Sequence, residues 1–245
     1  MRAGKASVGT RIRFFQAGQH DLVTRALVAI NLAVFLGAIA VGGGKLLGGS
    51  SGGGTWYARF ALISRLAPSA GDWYRGVAEG GLWRLITSGF MHDGIIHIAL
   101  NMYVLFVIGP SLERELGRSR FLMVYVAALL AGSAGALIVT PNAATVGASG
   151  AIFGLFGAFA TGLYQRGVNP FRTGIGTTLL INLALTFGLP GISVGGHIGG
   201  LIGGAVCGWF LLGHPTRRMP SWTYAVPAAV GGVAVAVALV AANRV

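Results

Sequence analysis

Long apolar runs separated by shorter polar segments dominate the chain. Taken as runs of about 17 to 22 residues, they predict seven membrane spans near 22–41, 91–109, 121–140, 147–165, 173–190, 195–213 and 223–242. Each run is long enough to cross the hydrocarbon core of a bilayer as a helix. Lipid offers no partner to backbone N–H and C=O groups, so a single segment must pair them internally. The pattern therefore predicts an all-α membrane protein.

Composition supports this interpretation and excludes other classes. Hydrophobic residues make up 54% of the chain and charged residues 10%, with a mean hydropathy of +0.72, which excludes a soluble globular domain. The net charge is +12 at pH 7. The basic residues lie singly or in small groups between the spans, which argues against a nucleic-acid partner. The single cysteine, Cys207, lies in an apolar run and excludes an internal disulfide.

The distribution of Lys and Arg predicts the orientation of the chain. Twelve fall on the side of the N-terminus and six on the other side, and the cytoplasmic side of a membrane protein collects the excess. We expect a basic cytoplasmic N-terminus over 1–21, a six-helix core over 22–213, and a cytoplasmic loop with a seventh helix over 214–245. Ala38-Ile39-Ala40 resembles a signal-peptidase site, but the apolar region is longer than the usual ~7–15 residues. We therefore expect a retained helix.

The long first loop of the core, 42–90, has two parts. The stretch 42–54 is rich in Gly and Ser and predicts a flexible linker. Beyond it, aromatic residues alternate with arginines, which favours elements lying in the membrane interface. These aromatic residues are Trp56, Tyr57, Phe60, Trp73, Tyr74 and Trp83. We expect an aromatic belt from most of them rather than catalysis.

Polar side chains within the spans mark the place to look for function, because lipid makes them costly unless they are paired or face a wet cavity. They are His92, Asp93, His97, Asn101, Ser149, Asn182 and His197. Spans two, four and six enter from the same side of the membrane. His97, Ser149 and His197 are therefore expected at similar depth, each near the start of its helix. A serine hydroxyl beside an imidazole is the arrangement that activates serine as a nucleophile.

Small residues accompany both members of this pair. Gly147 precedes Ser149 at a predicted helix start, where unpaired backbone N–H groups can stabilise an oxyanion. Glycines at four-residue spacing allow two helices to approach closely. They are Gly150 and Gly154 in the fourth span, and Gly200 and Gly204 in the sixth. Alternatively the glycines are only packing motifs and His197 satisfies a carbonyl, but packing alone gives no reason for equal depth.

Three further observations concern the chemistry of the pair. His97 and Asn101 are four residues apart and share a helix face, either as side-chain donors to an oxyanion or as glue between helices. Every acidic residue precedes Ser149, so no later carboxylate can orient His197 as in a triad. A Ser-His dyad is the better interpretation. Phe153, one turn after Ser149, could stack on the imidazole, or could be ordinary packing.

Taken in order, the motifs resemble those of the rhomboid intramembrane serine proteases. They are Trp83-Arg84, His97-x-x-x-Asn101, Gly109-x-x-x-Glu113-x-x-x-Gly117, Gly147-x-Ser149-Gly150 and His197-x-x-Gly200-x-x-x-Gly204. The resemblance extends from about residue 80 to 213. It implies a rhomboid-like six-helix core, and the seventh helix resembles the six-plus-one arrangement.

The resemblance also implies roles for the polar residues. Ser149 would be the nucleophile and His197 the general base, with His97, Asn101 and the Ser149 amide around the oxyanion and His92 giving supporting hydrogen bonds. The other supporting residues would be Gly147, Gly150, Phe153, Gly200 and Gly204. A water-filled cavity would open to the non-cytoplasmic side. Residues 109–117 would form a cytoplasmic turn, and Trp83-Arg84 would anchor the first loop. Phe153 stands where some rhomboids have tyrosine, which keeps a stacking face but loses a hydroxyl.

The predicted function is an intramembrane serine endopeptidase of a bacterial plasma membrane, acting on single-span or polytopic membrane proteins without metal or cofactor. Metal-dependent proteolysis would need a motif such as His-Glu-x-x-His, and the aspartyl type would need carboxylates in later spans; neither occurs. Zinc held by His92, His97 and His197 would block the base.

One alternative function is that of a catalytically inactive relative that binds membrane clients. Such relatives usually lack the Ser or the His. The other is a transporter, disfavoured by the scarcity of charge within the spans and by the lack of an inverted repeat.

Overall fold

The computed structural model describes residues 21–42, 55–66, 75–212 and 220–244. Within these ranges seven long helices follow one another: α1 (Leu22–Gly42), α2 (Ile95–Leu116), α3 (Arg118–Val139), α4 (Ser149–Gln165), α5 (Gly174–Gly188), α6 (Val194–Leu211) and α7 (Ala225–Ala242). Short helical segments cover Thr55–Phe60 and Arg84–Thr87. Backbone pairing of the strand type in these ranges is a single antiparallel bridge between Leu62 and Thr145. The predicted all-α class is confirmed.

The helices divide into two groups by length. Five are long and apolar enough to cross a membrane, namely α1, α2, α3, α6, and α7 together with the turn that precedes it. Helix α4 has 17 residues and α5 has 15, which at 1.5 Å per residue is less than the roughly 30 Å of a hydrocarbon core. An integral membrane protein is thus confirmed, whereas the count of seven spans stays a prediction.

Several sequence-based expectations fall on residues outside the described ranges. They concern the basic segment 1–20, the Gly/Ser-rich linker over 43–54, the aromatic residues Trp73 and Tyr74, and the loop over 213–219.

Helix α2 differs from the predicted second span. It begins at Ile95 and continues through Gly109 and Pro110 to Leu116, so the predicted turn over 109–117 is wrong. The chain reverses only at Gly117, where φ is +77°. Glycine and proline usually end a helix in water, but a membrane helix tolerates them because neighbouring groups satisfy the freed backbone.

Glu113 gives the physical reason for the longer helix. Its buried carboxylate accepts hydrogen bonds of 2.8 Å from the Val23 N–H, the Thr24 N–H and the Thr24 hydroxyl. The two amides belong to the first turn of α1, where N–H groups have no partner within the helix. Gly109 leaves room for this contact, since a Cβ there would lie 2.7 Å from Thr24 Cγ2. The last two turns of α2 therefore cap α1 and hold it in place.

Helices α4 and α6 pack through glycine at the centre of the molecule. A Cβ on Gly200 would collide with the carbonyl oxygen of Gly150, and one on Gly204 with that of Gly154. The two glycine stripes therefore meet backbone to backbone. Helix α3 packs on α6 in the same way, because a Cβ on Gly135 would collide with a carbonyl of α6.

Arg84 organises the chain that precedes α2. Its side chain is fully buried, and its three nitrogens donate hydrogen bonds of 2.6, 2.6 and 2.8 Å to backbone carbonyls of Arg75, Ala61 and Ala58. The indole N–H of Trp83 donates to the carbonyl of Arg59 at 3.1 Å. These two side chains tie the segments 55–66 and 75–90 together, so Trp83 and Arg84 anchor this region.

Candidate active site

Ser149 is the first residue of the central helix α4. The loop before it turns at Gly147, whose φ of +123° favours glycine, and the Gly147 N–H donates to the carbonyl of Ser88 at 2.9 Å. As the first residue of a helix, Ser149 presents a backbone N–H that has no partner within that helix. The loop thus holds a hydroxyl and a helix N-terminus side by side.

His197 lies in the first turn of α6. Its backbone N–H donates to the carbonyl of Ser193 at 3.1 Å, and the Ser193 hydroxyl accepts the Gly196 N–H at 3.1 Å. The close packing of α4 on α6 puts the imidazole within reach of a short side chain, and Nε2 of His197 lies 2.7 Å from Oγ of Ser149. The structure brings the two predicted residues into direct contact.

Phe153 lies flat against the imidazole. The ring centroids of Phe153 and His197 are 4.1 Å apart, and the ring planes differ by 16°. Phe153 is one turn after Ser149 on α4, and its side chain is buried. The stack limits tilting of the imidazole away from Ser149.

The second nitrogen of the imidazole contacts a residue that the sequence pattern did not single out. The Thr186 hydroxyl of α5 lies 2.7 Å from Nδ1 of His197 and 2.7 Å from the carbonyl oxygen of Asn182. Thr186 is 2% exposed. Threonine in an apolar helix commonly bonds back to the preceding turn, so nothing in the pattern marked it. Asn182, by contrast, turns its carboxamide to its own helix and donates to the carbonyl of Thr178.

His97 approaches the site from the first turn of α2. Its Nδ1 lies 2.5 Å from Oδ1 of Asp93, and this hydrogen bond holds the pKa of Asp93 below its ordinary value although burial opposes the shift. Its Nε2 faces Gly147, since a Cβ there would lie 2.7 Å from Nε2 and 3.6 Å from Oγ of Ser149. His97 and Ser149 therefore border one space. The i, i+4 spacing from Asp93 to His97 was a readable signal for this pair.

Asn101 and His92 stand behind His97. The Asn101 carboxamide donates to the backbone carbonyl of His97 at 2.9 Å; this bond lies within α2, so a contact with an oxyanion stays a prediction. Burial, and then the nearby His97, lowers the pKa of His92 to about 3, so its ring is neutral at ordinary pH. Its Nε2 accepts a long hydrogen bond of 3.5 Å from the Ala148 N–H, and its ring meets that of His97 edge-on at 5.0 Å. His92 thus supports both His97 and the loop before Ser149.

A cavity of about 20 Å³ lies beside the pair. Its lining includes Ser149, His197 and polar groups of Ser88, Ser133 and Ser193. This volume holds about one water molecule, and the lining offers it hydrogen-bond partners.

A protein-family model covers all the residues that form this site. Residues 79–214, more than half of the chain, match the family model described as Rhomboid domain. The chain belongs to the rhomboid family. The resemblance seen in the motifs is confirmed, and with it a rhomboid membrane fold.

Individual relatives agree with this assignment. The chain is 40% identical to rhomboid protease GluP of Bacillus subtilis (strain 168) over 131 residues, which cover 52% of this chain and 26% of GluP. It is 36% identical to YdcA of the same organism over 147 residues, 58% of this chain and 74% of YdcA. RHOMBOID-like protein 7 of Arabidopsis thaliana is 34% identical over 148 residues, 58% of this chain and 47% of the relative. The chain thus spans about a quarter of the first relative and about half of the third.

Proposed function

We propose that this rhomboid is an intramembrane serine endopeptidase that cleaves transmembrane segments of other membrane proteins with a Ser149–His197 dyad. The observation that carries the proposal is the 2.7 Å contact between Oγ of Ser149 and Nε2 of His197, at the starts of two apolar helices. A nucleophile and base at hydrogen-bond distance are the signature of nucleophilic catalysis by serine. The name of the relative GluP agrees with this chemistry.

The first half of the proposed reaction forms an acyl-enzyme. Oγ of Ser149 attacks the carbonyl carbon of the scissile peptide while its proton passes to Nε2 of His197. The negative charge that develops on the carbonyl oxygen is stabilised by the Ser149 N–H at the start of α4, with His97 and Asn101 as side-chain donors. As the tetrahedral intermediate collapses, the C–N bond breaks and His197 gives its proton to the leaving amine.

The second half restores the enzyme. A water molecule attacks the acyl carbon and gives one proton to Nε2 of His197. The bond between the carbonyl carbon and Oγ then breaks, and the proton returns to Ser149. The new carboxylate of the substrate leaves. The cavity beside Ser149 and His197, which has room for about one water molecule, supports a local source of this water.

The excess of Lys and Arg on the side of the N-terminus supports an orientation with the N-terminus in the cytoplasm. In that orientation Ser149 and His197 lie toward the non-cytoplasmic side, in a bacterial plasma membrane. The proposed layout is a basic N-terminus (1–21), a six-helix catalytic core (22–213) and a cytoplasmic loop with a seventh span (214–245). Substrates are single-span or polytopic membrane proteins that reach the dyad through the bilayer.

Cleavage by reconstituted protein tests the proposal. The purified chain and a tagged single-span substrate are combined in liposomes, and the release of fragments is followed on gels. We expect Ser149→Ala and His197→Ala each to lower the rate by more than about 1,000-fold, because both groups act in one step, with unchanged melting temperature. Ser119→Ala, an exposed serine at the start of α3 at the opposite end of the molecule, serves as the control and should cleave at the wild-type rate.

Two outcomes would contradict the proposal. Cleavage by Ser149→Ala at a rate comparable to that of the wild type would exclude this serine as the nucleophile. A folded wild-type protein that binds membrane proteins but cleaves none would favour the inactive, client-binding alternative.

A further inference from the structure

The hydrogen-bonding of Thr186 has a consequence for the protonation of His197. Two groups lie 2.7 Å from the Thr186 oxygen, the carbonyl oxygen of Asn182 and Nδ1 of His197. Thr186 is 2% exposed and His197 is buried, whereas Asn182 is half-buried. A polar contact there is costly unless each partner is satisfied.

The donor in each contact follows from the number of hydrogens available. A threonine hydroxyl carries one hydrogen, and a carbonyl oxygen can only accept. The Asn182 contact is therefore Thr186 O–H donating to the carbonyl. The Thr186 oxygen then has only lone pairs left, so Nδ1 of His197 must carry the hydrogen and donate it. If the Thr186 hydroxyl instead donated to Nδ1, the oxygens of Thr186 and Asn182 would lie 2.7 Å apart with no hydrogen between them.

This assignment fixes the tautomer of the neutral imidazole. With its hydrogen on Nδ1, His197 presents the lone pair of Nε2 to Oγ of Ser149, 2.7 Å away. That is the tautomer able to accept the serine proton. When the ring becomes positively charged, the Nδ1–H bond to Thr186 becomes charge-assisted and strengthens.

We propose that Thr186 is a positioning residue for catalysis, doing through a hydroxyl what the acid of a triad does through a carboxylate. This proposal rests on the proposed peptidase function. The Asn182 carbonyl contributes as well, because it accepts the hydrogen of the Thr186 hydroxyl and so orients it. Thr186 itself touches neither substrate nor the reacting atoms, so its effect passes through His197 alone.

Kinetics of three variants give the first test. Thr186→Val keeps the shape but removes the hydroxyl, and we expect kcat to fall about 10- to 100-fold, the range for a hydrogen bond to a charged group, with KM changed less than about twofold. Thr186→Ser should restore kcat to within about threefold of the wild type. The control, Thr178→Val, removes another hydroxyl of α5, one that donates to the carbonyl of Gly174. It should leave kcat and KM unchanged. Thr186→Val with more than half of the wild-type kcat, or Thr186→Ser as slow as Thr186→Val, would overturn the proposal.

The protonation state of the ring gives a test that does not depend on cleavage. In protein labelled with ¹⁵N-histidine, the His197 signals are identified by their loss in His197→Asn. We expect Nδ1 protonated and Nε2 unprotonated in the wild type and Thr186→Ser, and a mixture of tautomers in Thr186→Val. An Nε2–H tautomer in the wild type, or an unchanged pattern in Thr186→Val, would overturn the proposal. If the wild type shows the Nδ1–H form but never cleaves, the peptidase function fails while the hydrogen-bond assignment stands.

Discussion

At the scale of single residues, the imidazole of His197 is held on three sides. Ser149 contacts one nitrogen, Thr186 contacts the other, and Phe153 covers one face at 4.1 Å. Asp93 and His97 form a second polar pair beside Gly147, with Nδ1 of His97 2.5 Å from Oδ1 of Asp93. Small polar groups thus orient both histidines, and the surrounding helices contribute apolar packing.

The Asp93–His97 pair predicts how the stability of the protein depends on pH. A carboxyl whose pKa is lowered in the folded state adds stability above its unfolded value of about 3.9, and this contribution is lost as the pH falls through the folded pKa. Asp93→Asn lacks this group. We therefore expect the wild type to melt at a higher temperature than Asp93→Asn above about pH 4, and the difference to shrink below it.

Thermal unfolding in detergent between about pH 2 and 7 measures this difference, because the loss begins near the unfolded pKa of about 3.9 and continues below it. Tyr57 and His92, which also lie near Asp93, do not titrate over most of that range, since burial raises the pKa of Tyr57 to about 12 and lowers that of His92 to about 3. A gap between the two proteins that stays constant down to the lowest pH would refute the pairing.

A site residue could be predicted from the sequence only where its polar side chain stands out from the apolar residues around it. Ser149 and His197 stand out because serine and histidine at helix starts are conspicuous among apolar residues, and the alternation of spans put them at one depth. Thr186 carries no such contrast, because its hydroxyl hydrogen is used within its own helix. Its bond to His197 depends on how α5 packs beside α6, which no local pattern records.

At the scale of elements, the contact of α4 with α6 determines whether the dyad can form. Backbone meets backbone at Gly150 and Gly200, which lie next to Ser149 and within one turn of His197. Close approach of this kind depends on the absence of side chains. The glycine stripes were visible in the sequence as four-residue repeats.

Gly200→Ala tests this contact. A methyl group there would collide with the carbonyl oxygen of Gly150, so α4 and α6 must separate, and we expect a loss of about 1–3 kcal/mol of stability together with slower cleavage. Gly232→Ala in α7 is the matched control, because a Cβ there meets nothing within 4 Å. The melting temperature and cleavage rate of each variant are compared with those of the wild type. Wild-type values for Gly200→Ala would contradict the observed packing.

The bounds of the elements were less predictable than their existence. The apolar run that predicts the second span ends at Gly109, where Pro110 and then charged residues follow. The structure continues α2 to Leu116 because Glu113 finds its partners in the first turn of α1. A tertiary contact therefore sets this helix end, and such a contact leaves no mark on the local sequence.

At the scale of the whole molecule, the polar site is enclosed by helices with different tasks. Helices α2, α4 and α6 each bring one part of the site at the same end, and α5 adds Thr186. At the opposite end, Arg120 of α3 donates to the Thr223 hydroxyl at 2.7 Å and lies 4.2 Å over the ring of Tyr224, which holds the start of α7. Helix α7 thus packs on α3, away from the dyad.

Covalent labelling of Ser149 tests the central claim most directly, because it needs no knowledge of the substrate. A fluorophosphonate reacts with a serine whose oxygen is activated by a base. Intact wild-type protein in detergent is treated with the probe, and the modified residue is located by mass spectrometry. We predict a single adduct on Ser149, with no labelling of Ser149→Ala and little of His197→Ala. A wild-type protein that stays unlabelled, or an adduct that persists in Ser149→Ala, would contradict the account.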